Sequence, residues 1–394
     1  MVPRPSRAAV VRALAVAFVA VFTFTLIEGG ARLFFLLRER RTAVDPRTLD
    51  AYEVVDGDDP SLWRLRPGFS QTLAEAAESK RASGHLLGYE VLRESGARLG
   101  IPPREVIYTI NRRGFKGPEV AQVPSGIRIL NIGDSCTFGT LIDRYSYPRS
   151  LERELRRSEE RVEVVNGGVE GYAPAQVLAR MEDFRALRPD VATVYVGWNA
   201  LWAEPVSYGP ERYLRVARLL RRARERLQTL RNPRGAAMEA FTRPKRPDAD
   251  APEVREMEEY VPTFMGDVER IVDEMETDGV RVVIATLPGL YVMEEAPSLR
   301  ALKIGHLPAF TDNPYVLAKL TERYNGALRE MARRRGLPLV DLDRWSREAL
   351  RPRDSYFIDS VHLTEEGQTL LGKHMAERLR PLLEDVTEGR GRGR

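Results

Sequence analysis

Three side chains in this sequence have the types and spacing that nucleophilic catalysis requires. Ser135 follows an apolar run and stands in the turn Gly133-Asp134-Ser135, and His362 lies three positions after Asp359 near the other end of the chain. Serine is a weak nucleophile at neutral pH unless an imidazole within about 3 Å takes its proton. A carboxylate can hold that imidazole in the required tautomer. The pattern therefore predicts Ser135 as nucleophile, His362 as base and Asp359 as the partner of the base.

His362 is the best candidate base among the four histidines of the chain. His374 falls inside the last predicted helix, and His85 and His306 fall in irregular segments. Taken alone, His362 would be a packed surface histidine and Asp359 a turn or capping residue. Their occurrence together with a serine after a strand favours the catalytic interpretation.

A tetrahedral intermediate also needs hydrogen-bond donors for its negatively charged oxygen, and each missing donor costs about a hundredfold in rate or more. Three groups could supply them: the backbone amide of Ser135, the backbone amide of Gly171 and the side-chain amide of Asn199. A glycine at 171 would let the backbone approach a substrate closely. Singly, Gly171 and Asn199 are typical of turns and caps, so the prediction depends on their combination.

These candidates follow predicted strands that alternate with helices. Apolar segments that predict strands are Ile127–Ile132, Val162–Val165, Val191–Val196, Val280–Thr286 and Leu339–Leu342. Helical patterns cover about Tyr147–Ser158, Pro174–Leu187, Phe264–Asp278, Pro314–Arg335 and Thr364–Leu383. Such alternation predicts a parallel sheet covered by helices on both faces. Because ligands of open parallel sheets bind beyond the carboxyl ends of the strands, the candidate residues are expected to meet there.

Composition narrows the functional class. Hydrophobic residues make up 43% of the chain and charged residues 30%, which is typical of a globular protein. Lys and Arg total 61 against 57 Asp and Glu, and the net charge of +4 is too small to predict nucleic-acid binding. The single cysteine, Cys136, excludes an internal disulfide and a multi-cysteine metal site. We expect no cofactor and no metal.

The amino-terminal residues 1–41 differ from the rest of the chain. Ala13–Ile27 is uncharged and follows Arg4, Arg7 and Arg12. A transmembrane helix needs about 20 apolar residues, a length this segment reaches if it begins at Ala8 and Arg12 snorkels. We predict an uncleaved membrane anchor, with a signal peptide and a buried core helix as the alternatives.

Three further regions are defined by their patterns. Residues 42–125 lack long helical periodicity and predict an irregular extension with short strands that packs on the main domain, residues 126–384. Within that domain, an arginine-rich insertion of about residues 201–260 predicts a helix over Glu211–Leu230. Its basic face is either solvated or a lid for an anionic lipid or glycan. Residues 385–394 predict a disordered tail.

The ordered blocks together resemble a known family. Gly133-Asp134-Ser135, then Gly171, then Gly197-x-Asn199, then Asp359-x-x-His362 resemble the SGNH, or GDSL, hydrolases. The resemblance covers about Ile127 to Leu383 and implies a flavodoxin-like α/β/α sandwich with the roles assigned above.

The resemblance extends upstream and has two departures. The stretch Ile110–Gly117 and the amino-terminal segment are similar to those of bacterial membrane-anchored members. Ala200 stands where the family usually has an acidic residue, and Cys136 stands where phenylalanine often follows the serine. Cys136 is interpreted as a small buried residue, and Asp134 as structural.

We therefore predict a membrane-anchored, extracytoplasmic serine esterase that cleaves a lipid or acylated-glycan ester through an acyl-enzyme. The alternatives are an O-acyltransferase that moves an acetyl group to a polysaccharide with the same triad, and an inactive membrane-anchored binding module. Because His362 must be neutral to act as a base, we expect activity to fall on the acid side of about pH 6–7.

Overall fold

A computed structural model describes residues 16–19, 21–30, 51–56, 59–82, 86–157, 161–203, 216, 220 and 243–392. The chain divides into two compact units. One comprises Met1–Arg41 with Pro205–Ala236, and the other comprises Thr42–Glu204 with Ala237–Arg394. The upstream region 42–125 therefore belongs to the same unit as the residues predicted to form the sheet.

Five parallel strands form the centre of the larger unit. They are β5 (Ile127–Gly133), β6 (Val162–Gly168), β7 (Val191–Tyr195), β8 (Arg281–Ala285) and β9 (Leu339–Val340), in the spatial order β6-β5-β7-β8-β9. Numbered along the chain, this order is 2-1-3-4-5, which is that of flavodoxin-like sheets. Every residue of β5 and β7 is buried, as expected for strands covered on both faces. The predicted parallel sheet is confirmed.

Helices connect the strands and cover the sheet. In chain order they are α1 (Leu73–Ala82), α2 (Leu86–Arg98), α3 (Ser135–Phe138), α4 (Tyr147–Arg156), α5 (Pro174–Leu178), α6 (Met181–Arg185), α7 (Trp198–Ala203), α8 (Pro252–Glu256), α9 (Met265–Thr277), α10 (Leu299–Ile304), α11 (Pro314–Arg335), α12 (Leu342–Ala349) and α13 (Glu365–Arg392). The β5-to-β6 connection moves across the sheet in the direction opposite to the later connections. Right-handed crossovers therefore place α4 on one face and α9 on the other. Accordingly, α4 packs on α13, and α9 packs on α5 and β8.

Some predicted elements differ from the observed ones. The single helix predicted over Pro174–Leu187 is two short helices, because Arg180 departs from helical geometry with φ −116°. The last strand is shorter than predicted, because Asp341 caps the main-chain amide of Arg344 and α12 begins at Leu342. The tail predicted to be disordered lies in α13 as far as Arg392.

The upstream region is more regular than its sequence predicts. It contains two antiparallel pairs of strands, β1 (Tyr52–Asp56) with β2 (Asp59–Leu65) and β3 (Ser70–Thr72) with β4 (Val106–Thr109). The expectation of an irregular extension is wrong for α1 and α2, which pack on each other. The sequence did not predict these helices because their many charged residues weaken the apolar periodicity. In α1 only a few side chains, such as Leu73 and Ala76, are buried.

The amino-terminal segment is described only in part. Residues 16–19 and 21–30 are helical, and their apolar side chains are largely exposed, including Phe18 and Phe22. Among the described residues, no helix combines the length and apolar character needed to cross a bilayer. The predicted transmembrane helix is thus not found there. Most of the predicted basic helix Glu211–Leu230 lies outside the described residues, as does His85.

Candidate active site

The candidate residues gather at the carboxyl ends of the central strands. Ser135 begins α3 after β5, and Gly171 follows β6. Asn199 follows β7 and lies in the first turn of α7. Strands β6, β5 and β7 are adjacent in the sheet. The connections run in opposite directions from β5 and from β7, so the position between these two adjacent strands is the topological switch point, where open α/β sheets form their ligand crevice.

Ser135, His362 and Asp359 form a continuous hydrogen-bonded chain. Nε2 of His362 lies 2.7 Å from Oγ of Ser135, and Nδ1 of His362 lies 2.6 Å from Oδ2 of Asp359. The second carboxylate oxygen, Oδ1, accepts the main-chain amides of Val361 and His362, each at 2.8 Å. The carboxylate is thus fixed by its own turn, and the imidazole is fixed by the carboxylate. This is the geometry that a serine needs to lose its proton during attack.

Asp359 and His362 shift each other's pKa values. Burial favours the neutral acid, but the His362 imidazolium and the hydrogen bonds to the carboxylate hold the pKa of Asp359 well below its usual range. Burial likewise disfavours the imidazolium, but Asp359 outweighs it and raises the pKa of His362 to about 8. Because the raised pKa keeps His362 protonated to higher pH, we expect the acid limb of activity to lie above the pH 6–7 expected for an unperturbed histidine.

Gly171 occupies a tight turn. The amide of Tyr172 donates to the carbonyl of Val169 at 3.3 Å, which closes a turn over Val169–Tyr172. Gly171 is third in that turn with φ +81°, the value that type II turns require there and that favours glycine. The glycine at this position is thus demanded by the backbone conformation.

Asn199 is tied to the same turn. Its Nδ2 donates to the carbonyl of Tyr172 at 3.0 Å. A primary amide carries two hydrogens on that nitrogen, so one remains for a ligand. The bond orients the side chain, which is what an oxyanion donor needs before substrate arrives.

Asp134 links two of the strand ends. Its Oδ1 accepts the amide of Cys136 at 2.9 Å, and its Oδ2 accepts the amides of Gly197 and Trp198 at 3.3 and 3.2 Å. Complete burial raises the pKa of Asp134 to about 6, and the three amides act against that rise. These contacts agree with a structural role. They also supply support for the loop that carries Ala200 in place of the usual acidic residue.

Gly133 brings the first strand close to its neighbour. A β-carbon at this position would lie 2.3 Å from the carbonyl oxygen of Tyr195 and 2.0 Å from Oγ1 of Thr137. Neither contact is sterically possible without displacement of the backbone. Gly133 therefore sets how closely the Ser135 turn approaches β7.

The surroundings of Cys136, His306 and His374 differ from those of His362. Cys136 is buried, its Sγ lies 3.4 Å from the carbonyl of Val361, and burial raises the pKa of its thiol well above the usual value. The ring of His306 lies against that of Trp202 at a tilt of 37°, and its main-chain amide donates to Oγ of Ser360. His374 stacks on Trp345 in a parallel arrangement with ring centroids 4.9 Å apart. In the described part of the chain, no group of three or more His, Cys, Asp or Glu side chains could hold a metal ion.

One supporting residue at the site was missed by the sequence reasoning. Lys116 is buried, and its Nζ donates to the carbonyls of Phe138 at 3.0 Å and Thr140 at 2.5 Å. The ammonium also lies 4.1 Å from the centroid of the Phe138 ring. Burial lowers the pKa of Lys116 to about 8, although Asp143 opposes the shift. Lys116 therefore holds the carboxyl end of α3, the short helix that Ser135 begins.

Comparison with known proteins places these residues in a family. The model of the "GDSL-like Lipase/Acylhydrolase family" matches residues 132–370. That range is more than half of the chain and contains Ser135, Gly171, Asn199, Asp359 and His362. No curated protein matches the sequence.

Several solved structures are similar to this chain at low sequence identity. A catalytic mutant of Axe2, an acetylxylan esterase from Geobacillus stearothermophilus, is 17% identical, with a TM-score of 0.41 and coverage of 66% of this chain and 96% of that one. A lipolytic protein of the G-D-S-L family from Desulfitobacterium hafniense is 15% identical, with a TM-score of 0.36 and coverage of 64% and 99%. An acylhydrolase from Bacteroides fragilis is 18% identical, with a TM-score of 0.38 and coverage of 67% and 92%.

Proposed function

This chain belongs to the GDSL-like lipase/acylhydrolase family and is a serine hydrolase that acts on ester bonds, and we propose that Ser135 is its nucleophile. In this proposal His362 is the general base, Asp359 orients it, and the oxyanion donors are the amides of Ser135 and Gly171 with the side chain of Asn199. One observation carries the assignment: a single chain of hydrogen bonds, 2.7 and 2.6 Å long, joins Ser135 to His362 and His362 to Asp359.

Acylation uses the first half of this arrangement. Oγ of Ser135 attacks the carbonyl carbon of the ester as Nε2 of His362 takes the hydroxyl proton. The carbonyl oxygen becomes an oxyanion and accepts hydrogen bonds from the three donors. When the tetrahedral intermediate collapses, the bond to the alcohol oxygen breaks, and the imidazolium returns its proton to the leaving alcohol. The acyl group is then held as an ester of Ser135.

Deacylation repeats the sequence with water. His362 removes a proton from water, the resulting hydroxide attacks the acyl carbon, and the same donors stabilise the second oxyanion. Collapse releases the carboxylic acid and restores the Ser135 hydroxyl with the proton from His362. The balance is one ester and one water to one acid and one alcohol.

Probe labelling and ester hydrolysis test the assignment together. The full chain is treated with a fluorophosphonate, the modified peptide is identified, and a panel of aryl esters of increasing acyl length is assayed. We expect labelling at Ser135, and loss of both labelling and hydrolysis in Ser135→Ala. Ser298→Ala is the matched control, because Ser298 caps α10 and donates to Asp354. Full activity of Ser135→Ala would refute the proposal.

We propose a lipid or acylated-glycan ester as the substrate, with water as the acyl acceptor. The same acyl-enzyme can pass its acyl group to a sugar hydroxyl, so product analysis decides between hydrolysis and transfer. The purified enzyme is given an acetyl ester with and without an oligosaccharide. Free acetate in both reactions supports the hydrolase. Acetylated oligosaccharide formed at the expense of acetate would identify an O-acyltransferase.

We also propose that the amino-terminal segment attaches the enzyme to a membrane, with the catalytic unit on the extracytoplasmic side. Support comes from the three flanking arginines and from exposed apolar side chains such as Phe18, which is 71% exposed, and Phe22, which is 55% exposed. Flotation with phospholipid vesicles tests it, with Phe18→Ser/Phe22→Ser as the variant. Equal flotation of the two proteins, or no flotation of either, would refute membrane attachment through this segment.

A further inference from the structure

The upstream β1–β2 hairpin contacts the turn that carries Gly171. Trp63 in β2 is completely buried, and its Nε1 donates to the main-chain carbonyl of Glu170 at 3.2 Å. Tyr52 in β1 donates its hydroxyl to Oε2 of Glu170 at 2.8 Å. The residue immediately before the proposed oxyanion donor is therefore bound through both its backbone and its side chain. Neither Tyr52 nor Trp63 lies within the family match at residues 132–370.

The bond to the Glu170 carbonyl also orients the amide of Gly171. The two groups belong to one peptide unit, which is planar and trans, so its C=O and N–H point in opposite directions. With the carbonyl directed at Trp63, the N–H of Gly171 must point away from the hairpin. If the Trp63 bond were lost, rotation of this one peptide unit would interchange the two directions. Such a rotation is what separates type II from type I turns.

Further contacts hold the hairpin and the turn together. The hydroxyl of Tyr172 donates to the main-chain carbonyl of Trp63. The rings of Trp63 and Tyr172 meet edge to face, with centroids 5.4 Å apart and planes 77° apart. Because Asn199 donates to the carbonyl of Tyr172, the orientation of this proposed oxyanion donor depends on the same turn. The turn is thus bound on one side by the hairpin and on the other by Asn199.

We propose that Trp63 and Tyr52 are positioning residues for the oxyanion hole: they hold the Glu170–Gly171 peptide unit in the orientation that presents the Gly171 amide to the substrate. This inference rests on the proposed role of Gly171 as an oxyanion donor. It extends the functional site to the β1–β2 hairpin of the upstream region.

The test uses Trp63→Phe in the full chain, which removes the N–H donor and retains an aromatic ring beside Tyr172. The oxyanion forms only after the substrate is bound, in the tetrahedral intermediate and the transition states on either side of it, so loss of its donor lowers kcat and leaves KM nearly unchanged. We expect kcat to fall on the order of tenfold to a hundredfold. The affinity for a trifluoromethyl ketone, whose adduct with Ser135 carries an oxyanion, should fall by a similar factor.

The control is Tyr108→Phe, which removes a hydroxyl of the same upstream region that donates to Oε1 of Gln71 at 3.0 Å. Its kcat should stay within about twofold of wild type, because the substitution removes a single neutral hydrogen bond of modest net strength. A folded Trp63→Phe with unchanged kcat would overturn the proposal, and so would a fall in kcat without a fall in ketone affinity.

Folding and the proposed function are separated by two further measurements. If Trp63→Phe fails to fold by circular dichroism, Tyr52→Phe decides by the same two readouts, with a several-fold fall in both expected and no change in either overturning the proposal. If Ser135→Ala remains active, the proposed function itself fails. If Ser135→Ala is inactive while Trp63→Phe and Tyr52→Phe are unaffected, only the positioning role is refuted.

Discussion

The hydroxyl oxygen of Ser135 and Nε2 of His362 lie 2.7 Å apart, although 227 positions separate the two residues in the chain. The contact is possible because β5 ends at the same edge of the sheet that the loop before α13 crosses. It makes the pH dependence of the enzyme a property of one base and its carboxylate, and it defines which substitutions should affect chemistry rather than folding.

The pH profile should report the raised pKa of His362. The base is active when neutral, so kcat/KM should rise with pH and level off above a limb near pH 8. In Asp359→Asn the negative charge that raises this pKa is absent, so the limb should move to lower pH. Initial rates on an aryl acetate between pH 5 and 10 measure both limbs. A wild-type profile that is flat from pH 5 to 8 would contradict His362 as the base.

The same Asp359→Asn variant should also be much slower at every pH. Asparagine can keep its oxygen on the amides of Val361 and His362, which preserves the turn. Its amide nitrogen would then face Nδ1 of His362 and favour the tautomer that cannot accept a proton from Ser135. We expect a fall in kcat on the order of a thousandfold, with little change in unfolding temperature. A near-normal kcat would show that the carboxylate does not orient the base.

Asn199→Ala should reduce kcat about a hundredfold while KM changes little. The substitution removes a donor proposed for the oxyanion and the bond to the Tyr172 carbonyl. Asn199→Asp is a sharper comparison, because a carboxylate of similar shape cannot donate and would repel the oxyanion. Steady-state kinetics of both variants measure the effect. Equal activity of Asn199→Asp and wild type would exclude this side chain from the oxyanion hole.

Asp134→Asn should lower the free energy of unfolding by about 1–3 kcal/mol, because an NH₂ group would face the amides of Gly197 and Trp198. Urea denaturation measures the loss. The control is Asp250→Asn, an exposed position where substitution should change stability by no more than about 0.5 kcal/mol. If the two variants are equally stable, the buried carboxylate does not stabilise the junction between β5 and β7.

Lys116→Met should destabilise the protein by about 1–3 kcal/mol, since the carbonyl of Thr140 would lose its donor and that of Phe138 would keep one donor, Nδ2 of Asn166, in place of two. Removal of a costly buried charge offsets part of this loss. Urea denaturation and kcat are compared with those of Lys303→Met, an exposed lysine in α10. Unchanged stability of Lys116→Met would show that the ammonium adds no net stability at the end of α3.

Cys136→Ala should remain active within a few-fold, because the thiol is buried and is held protonated by burial. The folded wild-type enzyme should react slowly with a thiol reagent such as a disulfide dye, and only unfolded protein should react fast. Rapid labelling of the native enzyme that runs parallel with inactivation would instead place Cys136 at the reacting centre.

Much of this architecture is encoded locally and could be predicted from sequence. Strands buried on both faces are continuous apolar runs, so β5, β6, β7 and β8 are evident without their neighbours. Parallel strands end at one edge of their sheet, which is why residues after different strands could be expected to meet. Asp359 and His362 lie within one turn, so their pairing depends only on local geometry.

The contacts that orient these groups depend on the tertiary structure, because they join segments that share no local pattern. Trp63 reaches the Glu170 carbonyl across 107 positions, and Asp134 reaches Trp198 across 64. Lys116 is a charged residue that can be buried only because the fold places the carbonyls of Phe138 and Thr140 within reach of its ammonium group. Hydrophobic periodicity records which side of an element is buried. It carries no information about which distant backbone group a buried donor will meet, and that is decided only when the strands and the hairpin are packed together.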